Sequence, residues 1–151
     1  MRISDLLNDA MITVSFEDTT KENVIRTLID LASGSGRIQD KETALKAVME
    51  RERLMSTGLE KGVAVPHAKT GTVKDLVLTL GISREGVDFA SADGKPSHLF
   101  FLLLAPVAAA APNIQALAQI ARLTGNPEFC EMLKKAQSPK EALEIIRKAE
   151  K

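Results

Sequence analysis

Residues able to begin covalent chemistry near neutral pH are scarce in this chain, which holds two histidines, His67 and His98, and one cysteine, Cys130. A neutral imidazole is a nucleophile near pH 7, and a better-defined one when its second ring nitrogen donates a hydrogen bond that fixes the tautomer. His67 lies in STGLEKGVAVPHAKT, Ser56 to Thr70. Val65 precedes a proline and is thereby held extended, so the spacing predicts that His67 leaves the end of a strand as the chain turns away. Strand ends are common reaction sites. Donors suited to an anion are close in sequence: the Gly58 and Gly62 segments let backbone amides approach a phosphate, and Ser56, Thr57 and Lys69 add side-chain donors. Arg51 can reach in from the end of a preceding helix. The stretch is not a nucleotide loop, because GLEKGVAV lacks a Gly-Lys-Ser/Thr ending and the chain has no Gly-x-Gly-x-x-Gly. On spacing alone the plainer reading leads, with His67 a polar residue beside a turn and Arg51 and Arg53 a solvated helix end paired with Glu50 and Glu52. His98 reads as structural at the start of an apolar strand, and Cys130 as a small packing residue.

The elements that must position these residues follow from periodicity and punctuation. In TTKENVIRTLIDLASGSG, Val24, Leu28 and Leu31 fall at helical spacing, with Thr19 and Glu22 as a capping box and Gly34 to Gly36 as the stop. A second helix starts after Asp40 and buries Leu45, Val48 and Met49. The short apolar runs GVAV, DLVLTLGIS and SHLFFLLLAP read as strands, as does a piece around Met11 to Phe16. The nearly continuous HLFFLLL belongs mid-sheet, covered on both faces. REGVDFASADGKP carries an Asp-Gly turn and room for one more short strand. After Pro112 a helix places Ile114, Leu117, Ile120 and Leu123 on one stripe; PEFCEMLKKA gives a short helix, and Ser138, Pro139 and Glu141 open the last. The sum is an α/β fold, a mixed parallel and antiparallel sheet of about five strands sandwiched between helices.

Bulk properties bound the function. A length of 151 residues suits a single domain, 1–151, able to fold without staples. Lys plus Arg and Asp plus Glu balance at 20 each, and five Phe with no Trp or Tyr give few stacking surfaces, so nucleic acid is not an expected partner. The lone cysteine excludes an internal disulfide and a thiolate zinc site, no metal or other cofactor is expected, and a reducing, cytoplasmic setting is. No apolar run approaches membrane-spanning length, so direct membrane insertion is not expected.

The order ERERLMSTGLEKGVAVPHAK resembles the active-site segment of enzyme IIA of the phosphoenolpyruvate-dependent sugar phosphotransferase system, of the fructose/mannitol type, which includes nitrogen-regulatory enzyme IIA proteins. The similarity extends from ISDLL through DGKP and FLLLAP to the last helices. It implies that His67 accepts a phosphoryl group from the histidine-containing phosphocarrier protein and passes it to a IIB partner, or signals to regulatory target proteins by its phosphorylation state. It further implies that Arg51 helps bind phosphate or order the site, and that Thr57 and Gly58 shape the adjoining loop. Phosphoryl transfer of this kind asks for an in-line approach and stabilised equatorial oxygens, which fixed donors supply without a metal. The family's usual second histidine, at the start of the helix after LLLAP, is Asn113 here. Its amide can donate to a phosphoryl oxygen or to His67 but carries no charge and exchanges no proton. That departure favours regulation over fast transport, and a regulatory protein-binding module with little or no phosphotransfer is the alternative.

Overall fold

The computed structural model describes residues 1–59, 61–108 and 110–151. Two 3₁₀ turns, Ile3–Asp5 and Asp9–Met11, precede β1 (Ile12–Thr13), α1 (Lys21–Gly34), α2 (Lys41–Leu54), β2 (Val63–Ala64), β3 (His67–Lys69), β4 (Val77–Val87), β5 (Ser97–Ala105), α3 (Ala110–Thr124), α4 (Pro127–Lys134) and α5 (Pro139–Ala149). The five-stranded sheet runs β1-β4-β5-β2, with β3 also on β5. Only β4 and β5 are antiparallel, from Val77 opposite Leu104 to Ile82 opposite Leu99; β1 joins β4, and β2 and β3 join β5, in parallel. This is the mixed sheet expected from the sequence.

Leu99 to Ala105 are all buried, as an apolar run covered on both faces must be. Along β4, Thr79 donates to the Leu28 carbonyl of α1 (3.2 Å) and Gly81 lies under Leu28 and Phe16, while the alternate Leu78, Leu80 and Ile82 are buried on the opposite face. Asp40 caps α2 by accepting from Glu42 and Thr43, and Ser138 caps α5 by accepting from Glu141, both as the sequence indicates.

Four local expectations shift. The cap of α1 is Thr20, which accepts from the Asn23 amide at 3.3 Å, because Asp18 takes the Thr20 N–H and the Asn23 side-chain amide and sets the chain one residue later than a Thr19 box would. No separate strand forms in REGVDFASADGKP: β4 itself continues to Val87 through a register shift after Ile82, and the turn follows at Asp93–Gly94. His67 does not leave the sheet but begins β3. In α3 the buried stripe is Asn113, Ala116, Ile120 and Leu123, whereas Ile114 is 64% exposed. Hydropathy favoured Ile114 because an asparagine and a small alanine score weakly, yet those two face the sheet.

The chain ends are joined by one carboxylate. Glu150 accepts from the Ile3 amide (2.8 Å), the Ser4 amide (3.0 Å) and the Gln119 side chain (2.8 Å), tying α5 and α3 to the first turn. Burial alone would raise its pKa, but the hydrogen bonds from Ser4, Gln119 and Ile3 outweigh it and hold the carboxyl below its ordinary value. A lowered folded-state pKa makes this stabilisation complete above the unfolded-state value and lost as pH falls through the folded-state one. Glu150→Gln should therefore lower stability by about 1 kcal/mol at neutral pH, read as a drop of about 2–4 °C in Tm, with the difference from the parent shrinking at acid pH.

Candidate functional site

The far edge of β5 carries the site. Val63 and Ala64 pair with Leu99 and Phe100, and His67 to Lys69 pair with Leu103 to Ala105, so both short strands run along one neighbour. Pro66 has no N–H to give the ladder and splits the edge in two, but its carbonyl accepts from Leu103 N at 2.9 Å, which keeps the register across the break. His67 Nδ1 lies 2.7 Å from the Val65 carbonyl. A carbonyl only accepts, so Nδ1 carries the proton and Nε2 keeps the lone pair. The backbone thus fixes ring direction and tautomer together.

His67 is partly buried and lines a depression of about 720 Å³ with Ala68, Lys69, Asn113, and Ala47, Glu50, Arg51, Arg53 and Leu54 of α2. Three cations, Arg51, Arg53 and Lys69, face one carboxylate, Glu50, which suits an anion. The Arg51 guanidinium gives one N–H to the Met55 carbonyl at 3.0 Å, satisfying an orphan acceptor at the end of α2 and steadying the side chain. Asn113 is buried in the first turn of α3 and also faces the depression. A smaller slot of about 260 Å³ opens beside His67 and Arg51, lined also by Ser56 and Thr57 and closed by Met55, Leu59, Val65, Leu117, Ile120 and Ala121.

The structure thus brings His67, Arg51, Lys69 and Asn113 together. It places the loop donors otherwise. Thr57 is buried and gives its N–H (2.8 Å) and hydroxyl (2.6 Å) to Glu52, while Ser56 donates to the Phe89 carbonyl (2.6 Å) and accepts from the Gly58 amide (3.0 Å). These bonds hold the loop to the protein, and Ser56 and Thr57 line the smaller slot with His67 and Arg51 and not the larger depression. Glu52 in turn pairs with Lys21 at 2.8 Å, not with Arg51 or Arg53 as a solvated helix end would. The signal was present in the sequence: position 52 falls on the buried stripe of α2 with Leu45 and Val48. His98 donates from Nδ1 to the Ser83 carbonyl (2.9 Å), and Cys130 is buried, which pushes its thiol pKa up. Among the described residues no cluster of His, Cys, Asp and Glu could hold a metal ion, and no helix is long and apolar enough to cross a membrane.

Comparison with known proteins places this geometry. The family described as "Phosphoenolpyruvate-dependent sugar phosphotransferase system, EIIA 2" matches residues 5–149. The chain belongs to this EIIA family. It is 34% identical over 144 residues to the fructose-specific EIIA component of Haloferax volcanii, covering 95% of this chain and 94% of that one. It is also 34% identical over 151 residues to the fructose-specific EIIABC component of Bacillus subtilis, of which it spans only 24%. The nitrogen regulatory protein IIA-Ntr of Neisseria meningitidis has the same fold at TM-score 0.83 and 28% identity, over 95% of this chain and 98% of that one. So has mannitol enzyme IIA of Escherichia coli in its complex with phosphorylated enzyme IIB, at TM-score 0.80 and 23% identity, over 94% and 97%.

Within this EIIA protein Gly58 is fixed by close approach. A Cβ there would lie 2.7 Å from Ser91 Oγ, 3.0 Å from Ser91 Cα and 3.1 Å from the Phe89 carbonyl, two of them backbone atoms. Gly58→Ala should cost about 1–3 kcal/mol and shift the amide resonances of Thr57 and Val65, because the loop must lift off the 89–91 segment. Thermal melts and two-dimensional NMR of the variant check this.

Proposed function

We propose that this protein is a phosphoryl carrier in which His67 Nε2 accepts the phosphoryl group of the histidine-containing phosphocarrier protein and delivers it to a IIB partner or displays it as a signal. The observation that carries this is the Nδ1 donation to Val65 O, which leaves Nε2 unprotonated at the edge of a cation-rich depression. In the forward step the Nε2 lone pair bonds to phosphorus as the donor's N–P bond breaks and the electron pair returns to the donor imidazole. Arg51 and Lys69 neutralise charge on the equatorial oxygens, and Asn113 offers a neutral amide donor. Ser56, Thr57 and Gly58 serve by shaping the loop beside His67. The donor and acceptor are proteins, which suits the apolar residues near the site: Leu54 is 84%, Met55 71% and Ile114 64% exposed. That mannitol IIA is known in complex with IIB supports the same kind of partner here. A regulatory role is favoured by Asn113, since a neutral amide cannot assist departure of the phosphoryl group as a charged imidazole can.

Incubation with phosphoenolpyruvate, enzyme I and phosphocarrier protein should label the chain with acid-labile, base-stable phosphate. His67→Ala should abolish the label, and full labelling of that variant would refute the assignment. Arg51→Ala should slow phosphorylation about a hundredfold. Asn113→His should accelerate onward transfer to a fructose- or mannitol-type IIB and add a second ionisation to its pH profile, measured by quenched-flow transfer; an unchanged profile would remove Asn113 from the reaction.

A further inference from the structure

Glu52 is 5% exposed and carries three polar contacts that the phosphotransfer chemistry itself does not use. Its Oε1 accepts from Thr57 N (2.8 Å) and meets Lys21 Nζ (2.8 Å), and its Oε2 accepts from Thr57 Oγ1 (2.6 Å). The Thr57 carbonyl then accepts from Val65 N (3.0 Å), and the Val65 carbonyl accepts from His67 Nδ1 (2.7 Å). Lys21 also gives hydrogen bonds to the Phe89 carbonyl (3.4 Å) and Ser56 Oγ (3.5 Å) and sits 4.8 Å over the Phe89 ring. An unbroken series of bonds therefore runs from a lysine at the start of α1 to the ring nitrogen that sets the tautomer of His67.

Two features mark this series as more than packing. Lys21 is the first residue of α1, where the positive end of the helix dipole opposes a cation. Glu52 is buried while Lys21 is partly exposed, and a carboxylate taken out of water is often no better for stability than an apolar residue of the same shape, whereas removing its lysine strands it. What apolar replacements could not do is hold the Thr57 amide and hydroxyl at one place, and the Thr57 carbonyl is what holds Val65.

We propose that the Lys21–Glu52 pair positions His67 for phosphorylation by clamping Thr57, so that the Val65 carbonyl keeps the imidazole in its Nδ1–H tautomer with Nε2 facing the depression. Both are positioning residues, and their effect on rate rests on His67 being the phosphoacceptor. Loss of the clamp lets Thr57 and Val65 relax together. The ring then samples the other tautomer, whose Nε2 is protonated and cannot attack phosphorus.

The test is nitrogen-15 NMR of the histidine rings in the full chain, paired with phosphorylation rates. The parent should show His67 as the Nδ1–H tautomer. Lys21→Met and Glu52→Gln should each give a tautomer mixture and slow phosphorylation about tenfold or more. Lys21→Arg should restore both, and the double variant should be no slower than the slower single one. His98, bonded to Ser83 away from the series, should not change in any of them. If Glu52→Gln does not fold, Lys21→Met decides. A folded Lys21→Met protein with the parent's tautomer overturns the proposal, as does a slowed Lys21→Met whose ring signals are unchanged, for then the pair is only structural. If the parent itself takes no label on His67, the phosphoacceptor reading fails while the ring signals still decide the clamp.

Discussion

The edge of β5 governs the rest. This strand is buried on both faces, so every amide and carbonyl along it needs a partner in the sheet, and β4 can satisfy only one side. The segment 63–69 has to supply the other. It does so with a proline in the middle, and the missing N–H divides the edge into β2 and β3 without displacing it, because the Pro66 carbonyl still meets Leu103. His67 consequently has its backbone pinned in register opposite Leu103 and its ring pinned to Val65 two residues earlier. A ring held this way takes its direction from the backbone of the sheet edge itself.

Where a folded chain breaks the rules that favour folding, the break tends to lie near function. Two such breaks meet at Thr57, in the loop that leads to His67. A glutamate occupies the core stripe of α2, and a lysine begins α1, each unfavourable alone and each answered by the other. Glu150 is the instructive contrast. It too gathers several donors, but it faces the chain ends, is only partly buried and serves the fold alone.

Much of the fold was legible in the sequence because its signals are local. The buried run of β5, the Asp40 cap and the Ser138–Pro139 start of α5 each need only a few neighbouring residues to be recognised. The site was legible in its members but not in its arrangement. Arg51, His67 and Asn113 converge because α2 packs on β3 and α3 on the neighbouring β5, a consequence of tertiary packing that no spacing encodes. The same cause hid the bonding of the loop: Ser56 and Thr57 lie beside His67, yet their donors are taken by Phe89 and Glu52, which local spacing does not show. Glu52 was hidden by its neighbours, since in Glu50-Arg51-Glu52-Arg53 alternating charge suggests solvent while helical period places one of the four inside.

The site divides by stiffness. His67 is held by backbone hydrogen bonds and its loop by the Lys21–Glu52 pair, whereas the surroundings present Leu54, Met55 and Ile114 on exposed, rotatable side chains. Methionine and leucine adapt to differently shaped surfaces at little cost, so on the proposed function such a rim suits more than one protein partner while His67 stays unmoved. Substitution in that rim can therefore change which protein docks without touching Nε2. Asn113 and Ile114 show how narrow the boundary is, because of two adjacent residues less than a third of a turn apart one lines the depression and the other is exposed. On the proposed function, a change at 113 bears on the phosphoryl group and a change at 114 on the docking surface.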